Sequence, residues 1–152
     1  MIYDTISIIR IKMKEVKDLS DSKFDLSDKE EQMLETMWRE ARPLTRSEII
    51  NLTENRRWKE SSIHVFLNRL LDKKSIRVHD IVKTATNYGR TYEPTFTREE
   101  YDMARLKNNF KAVDPESSTI SDFLSFIVKS KKIDKKDVSE LEDIIKDHKD
   151  KL

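Results

Sequence analysis

The stretch Ser62-Ile-His-Val-Phe-Leu-Asn-Arg-Leu-Leu-Asp-Lys-Lys-Ser-Ile-Arg-Val-His-Asp-Ile-Val82 changes its hydrophobic period partway along. Ile63, Phe66, Leu67, Leu70 and Leu71 recur at i, i+3, i+4, i+7 and i+8, the core face of a helix running from about Lys59 to Lys74. From Ile76 the residues are β-branched and partly alternating, which is the pattern of a strand. What lies on either side of this helix-to-strand switch decides the fold.

Upstream are two shorter helices, each announced by a capping box. Thr45 with Glu48 opens one that presents Ile49, Ile50 and Leu52. Ser27 with Glu30 opens the other, whose stripe is Met33, Leu34, Met37, Trp38 and Ala41, with Pro43 as its stop signal. Downstream, Thr84 to Gly89 holds the only glycine of the chain, and Arg90-Thr-Tyr-Glu-Pro-Thr-Phe96 reads as a return strand, with Pro94 near its end. Three helices followed by a hairpin with a basic tip is the order of a winged helix-turn-helix, in which the third helix enters the major groove of DNA.

The rest of the chain is helical. Thr97 with Glu100 caps a helix through Tyr101, Ala104, Leu106 and Phe110, and Asp114-Pro115 interrupts it. Ile120, Phe123, Leu124 and Ile127 then form one apolar stripe. Asp134 caps a last helix that presents Val138, Leu141, Ile144 and Ile145. Both helices are too short to bury such faces alone. Self-association covers them most simply, and packing back onto the preceding domain is the alternative. The expected architecture is mainly α with a small β-hairpin wing: a winged helix-turn-helix domain over 26–97 and a C-terminal helical dimerisation region over 98–152. Residues 1–25, with Ile6, Ile8, Ile9, Ile11 and Met13, fit a short strand, a loose helix or a disordered leader, and Met13 is a second candidate start.

Composition narrows the function. Among 152 residues, 39% are charged and 36% apolar, and the net charge is only +1. Between Asn55 and Arg90, however, nine basic residues face Glu60, Asp72 and Asp80, a local net of +6. A basic field inside a near-neutral chain suits a nucleic-acid partner. The chain has no cysteine, which excludes disulfides, thiolate metal sites and cysteine nucleophiles. His64, His79 and His148 lack ligand-spaced neighbours, so no metal is expected, and no phosphate-cradling glycine loop or nucleophile elbow supports an enzyme. No run approaches the roughly 18 apolar residues of a membrane span. The start lacks the marks of a secretory signal, so a cytoplasmic protein is expected, with neither a cofactor nor a small-molecule ligand evident.

If the third helix enters the groove, its outward N-terminal residues read bases. These are Ser61, Ser62 and Val65, with Asn68 and Arg69 one turn on. Val65 is either a contact for a thymine methyl or a scattered surface apolar residue. Arg56, Arg57, Lys59, Lys73, Lys83 and Arg90 read as phosphate contacts, which set affinity and salt dependence rather than sequence preference. Lys73 and Lys74 also suit a helix C-terminus, which explains them without DNA. Trp58 has two readings, flanking DNA beside Arg56 and Arg57 or packing at the start of the helix.

From Leu26 to Leu152 the chain resembles the bacterial penicillinase repressor family, which includes methicillin-resistance and copper-responsive repressors. Three stretches carry the resemblance: Leu26-Ser-Asp-Lys-Glu-Glu-Gln-Met-Leu-Glu-Thr-Met-Trp38, Ser62 to Lys74, and Gly89-Arg-Thr-Tyr-Glu-Pro-Thr-Phe-Thr-Arg-Glu-Glu-Tyr101. The resemblance implies a homodimer on an inverted-repeat DNA operator that represses β-lactam (penicillinase) resistance genes. It also implies induction by proteolysis of the dimerisation region after a membrane sensor-protease detects the antibiotic. The chain departs from the family pattern at telling places. Phe126-Ile127 stands where the β-lactam branch has its Asn-Phe cleavage bond, and the cysteine cluster of the copper branch is missing. Ser61-Ser62 and Val65 stand where the family commonly has Lys-Thr and Thr. Two alternatives follow: a regulator of the same fold answering another signal, and a winged helix used to bind proteins.

Overall fold

Ser27 accepts a hydrogen bond from the Glu30 amide while Glu30 accepts one from the Ser27 amide, and this reciprocal cap opens α1 (Asp28–Glu40). The computed structural model of the chain describes residues 22–130 and 132–152. The expectations for residues 1–21, including Met13 as a start, lie outside the described residues. After α1 come β1 (Leu44–Thr45), α2 (Arg46–Leu52), α3 (Ile63–Asp72), β2 (Ile76–Lys83), β3 (Tyr88–Pro94), α4 (Arg98–Lys111), α5 (Thr119–Lys129) and α6 (Lys135–Asp150). The chain forms two compact units that part between Asn108 and Asn109.

In the first unit, Met33, Leu34 and Met37 of α1 and Ile63, Phe66, Leu67 and Leu70 of α3 are buried with Leu44, Ile49 and Ile76 in one core. The helical period of the sequence thus marks the inward faces correctly. Tyr101 and Ala104 of α4 join the same core, so the first turns of that helix belong to this unit. Phe24, in the stretch read as the end of the leader, is also buried, and its ring lies 4.8 Å from that of Phe96. Trp38, Phe96 and Tyr101 complete an aromatic cluster, in which the Trp38 indole donates to the Phe96 carbonyl at 2.9 Å.

Three local expectations are corrected. Pro43 does not end the first helix. Ala41 does, two residues before Pro43, in the left-handed region at φ 53°, with its amide bonded to the orphan Met37 carbonyl four residues earlier. The third helix does not begin at Lys59: Glu60–Ser62 form a 3-10 turn, and the α-helix runs from Ile63 to Asp72. The hairpin is not alone either. β1 pairs with β3 through Leu44↔Tyr92 and Thr45↔Thr91, so the sheet has the order β1-β3-β2. A two-residue strand is too short to show a period.

The second unit holds α5 and α6. Asp134 caps α6 through a reciprocal pair with Asp137. No residue of either helix is buried within the chain. Phe123, Leu124, Ile144 and Ile145 are each at least half exposed.

Candidate nucleic-acid interface

The burial of Ile63, Phe66, Leu67 and Leu70 turns the other side of α3 outward. Ser61, His64, Val65, Asn68 and Arg69 are all exposed there, and Ser62 is half-buried at the helix start. Val65 keeps 50% of its surface in solvent. The Arg69 guanidinium lies over the edge of the core, 5.9 Å from the Phe66 ring. His64 was not among the expected base readers, yet it stands in the middle of this face. Arg46, the first residue of α2, donates a hydrogen bond to its Nε2. A guanidinium can only donate, so that His64 nitrogen is the acceptor. No pattern within one helix signals this pair, because its members belong to two.

α2 is set in place by its own cap. Thr45 and Glu48 exchange hydrogen bonds, and Arg42 pairs with the Glu48 carboxylate. Burial alone raises the Glu48 carboxyl, but the hydrogen bonds from Arg42 and Thr45 outweigh it and hold it below the usual carboxylate range.

The nine basic residues of the +6 segment sort into two groups. Lys73 is engaged inside the protein: its ammonium donates to Glu30 at 2.7 Å and to the Asp25 carbonyl at 2.6 Å. Arg77 pairs with Glu93 at 2.6 Å, and that bond, together with His79 nearby, lowers the Glu93 carboxyl. Arg56, Arg57, Lys59, Arg69, Lys74, Lys83 and Arg90 have no carboxylate within 4.0 Å among the described residues. Among the described residues, only this second group is left to neutralise an external anion.

The loop before α3 is held by α1. The Gln32 side chain donates to the carbonyls of Glu54 and Asn55 and accepts from the Arg57 amide at 3.0 Å. Trp58 is 5% exposed, so of its two readings packing prevails, and the Arg56 guanidinium lies 5.1 Å above its ring.

At the hairpin, Lys83 pairs with Tyr88 and Ile81 with Arg90, which sets both basic side chains near the tip. Thr84 closes the turn by bonding the Asn87 carbonyl through both its amide and its hydroxyl. At Gly89 the constraint is proximity rather than backbone angle, since a Cβ there would lie 3.0 Å from the Thr84 methyl and that side chain would have to give way. An irregularity between Val78 and Asp80 shifts the register, and Thr91 bridges it by bonding both the amide and the carbonyl of Asp80.

Among the described residues no three His, Asp or Glu side chains group as a metal site, and no helix is long and apolar enough to cross a membrane. The family model described as penicillinase repressor matches residues 26–147. No curated protein and no solved structure matches the chain. The chain belongs to the penicillinase repressor family, whose members are DNA-binding transcriptional repressors rather than enzymes.

Proposed function

We propose that this penicillinase repressor family member binds an inverted-repeat operator as a homodimer. In this reading the winged helix over 26–97 reads DNA and the helical region over 98–152 dimerises. Ser61, Ser62, Val65, Asn68 and Arg69 face the bases, joined by His64. Arg56, Arg57, Lys59, Lys83 and Arg90 hold phosphates. Lys73 leaves the phosphate set because Glu30 and the Asp25 carbonyl engage its ammonium. The observation that carries the reading is the outward face of α3, polar apart from Val65, next to basic residues that no carboxylate neutralises among the described residues. A winged helix that binds proteins has no use for such a field.

Dimerisation is supported by α5 and α6, whose apolar residues are half-buried at most and largely exposed. Ile120, Phe123, Leu124 and Ile127 of α5 and Val138, Leu141, Ile144 and Ile145 of α6 form the proposed contact. Repression of β-lactam resistance genes, with relief when a membrane sensor-protease cuts the dimerisation region, is the regulation the family suggests. The matching bond, Phe126-Ile127, lies inside α5, so cutting it requires that helix to open locally. Because the bond itself differs from the family's Asn-Phe, a regulator answering a different signal is the second reading.

The test is binding of the purified protein to the DNA upstream of its own gene, titrated by fluorescence anisotropy against a scrambled duplex at two salt concentrations. Selective binding that weakens with salt supports the proposal. Equal or absent binding to both duplexes counts against it. Replacing Arg57 and Arg90 together separates the classes, because lost DNA binding with an intact dimer is the repressor outcome. Unchanged DNA behaviour favours a protein partner.

A further inference from the structure

Arg46 opens α2 and His64 stands on the outward face of α3, so their hydrogen bond ties together the two helices of the helix-turn-helix. We propose that Arg46 is a positioning residue that acts through His64 and makes duplex binding proton-dependent. The proposal deepens the DNA-binding reading above and rests on it, because it needs the outward face of α3 to lie against the duplex.

The chemistry begins with the direction of the bond. A guanidinium only donates, so His64 Nε2 offers its lone pair, and in a neutral ring the single proton then sits on Nδ1. An imidazole free in water prefers the other form, with its proton on Nε2. Arg46 therefore selects one tautomer, in which Nε2 is covered and Nδ1–H is the one donor of the ring. A second proton cannot be added without breaking the pair. It would occupy the nitrogen that accepts from Arg46, and the two groups would become like charges in contact.

The hollow between the two helices adds one further charged group. Its other walls are Ser47 and Ile50 of α2, and Glu60 and Ser61 of the turn before α3. Glu60 is the one carboxylate there, and it makes no ion pair with Arg46 or His64 among the described residues. Arg46 and a protonated His64 are thus two adjacent cations with no paired carboxylate among the described residues. A duplex brings the missing counter-charge. Its phosphates set a dense negative field before α3, which favours His64 protonated and Arg46 released toward a phosphate oxygen. Binding then takes up a proton at His64, and by linkage the affinity rises as pH falls through the range in which histidines titrate.

The test uses the full chain in two arms. In the first, nitrogen-15 spectra of the histidine rings are recorded without DNA at pH 8, with the His64 signal assigned by its loss in His64→Gln. The expected spectrum has His64 unprotonated at Nε2, and Arg46→Met is expected to return the proton to that nitrogen. In the second arm, anisotropy measures binding to a duplex from the DNA upstream of the gene, at fixed salt. The parent protein is expected to bind about fivefold or more tightly at pH 6 than at pH 8, below the ceiling of about tenfold per pH unit for one proton. His64→Gln has no ring to protonate and should change by less than about twofold, with Arg46→Met between the two. That variant keeps His79 and His148, so their contribution cancels in the comparison. Duplex binding with parent and variant profiles in parallel overturns the proposal and leaves the DNA-binding reading intact. So does a free protein whose His64 proton sits on Nε2, or an Arg46→Met spectrum or profile that matches the parent. If the duplex binds at neither pH, the DNA-binding reading itself fails and the proposal falls with it.

Discussion

Lys73 and Glu30 lie 43 residues apart in the chain and meet in a 2.7 Å ion pair at the junction of α1 and α3. The Glu30 side chain is 2% exposed and also accepts from the Ser27 amide, so one carboxylate caps a helix and holds the end of another. Removing Lys73 strands that charge in the core. Lys73→Met is expected to cost about 2–3 kcal/mol, below the full penalty for a buried pair because the lysine is partly exposed. Urea denaturation measures this, and a change within about 0.5 kcal/mol refutes it. Its DNA affinity at fixed salt should stay within about twofold, since an engaged ammonium has little left for a phosphate.

Phe24 makes a prediction about where the first unit begins. It is 8% exposed and packs on Phe96, so Phe24→Ala is expected to destabilise that unit by about 2–4 kcal/mol. Removing residues 1–21 while keeping Phe24 is the companion measurement, read by thermal unfolding. If Phe24→Ala melts with the parent protein, the aromatic cluster does not depend on that residue.

Tyr101 gives the protein an alkaline limit. Burial, reinforced by the Glu31 carboxylate that accepts its hydroxyl at 3.0 Å, pushes the phenol up to about 12. The unfolded chain releases this proton near pH 10, so the folded state binds it more tightly. Its stabilisation is complete below pH 10 and is lost as pH rises from 10 to 12. Tyr101→Phe should flatten that part of the stability curve. An equal alkaline fall in both proteins assigns the loss to other groups.

Leu124 and Leu141 test the dimer. Leu124 is 54% exposed within the chain and Leu141 is at the edge of exposure, so aspartate at either position costs a single chain little. In a dimer the same charge is buried without a partner, at a cost of several kcal/mol. Sedimentation should find both variants shifted to monomer with unchanged circular dichroism, and operator affinity should fall with them. Variants that remain dimeric at low concentration disprove the contact assigned to α5 and α6.

Val65 separates reading from packing on α3. Being half exposed, it is expected to tolerate Val65→Ala within about 0.5 kcal/mol of stability. Operator affinity should nevertheless fall several-fold, and the loss should vanish on a duplex in which the contacted thymine is replaced by uracil, which lacks the methyl group. Unchanged affinity for every duplex means that Val65 is a bystander.

The local sequence determined which segments are helices and, in the first unit, which face of each turns inward. Capping boxes at Ser27, Thr45, Thr97 and Asp134 and the spacing of Ile63, Phe66, Leu67 and Leu70 are short-range signals, carried by hydrogen bonds and periods within one or two turns. The outward residues of α3 followed from the same period. Tertiary structure decided what depends on partners distant in the chain. It paired Leu44 with Tyr92, buried Phe24 against Phe96, joined Arg46 to His64, and committed Lys73 and Arg77 to carboxylates while leaving seven other cations of that segment without a carboxylate partner among the described residues. A basic residue looks the same in sequence whether or not it is neutralised, because its charge belongs to the residue and its partner to the fold.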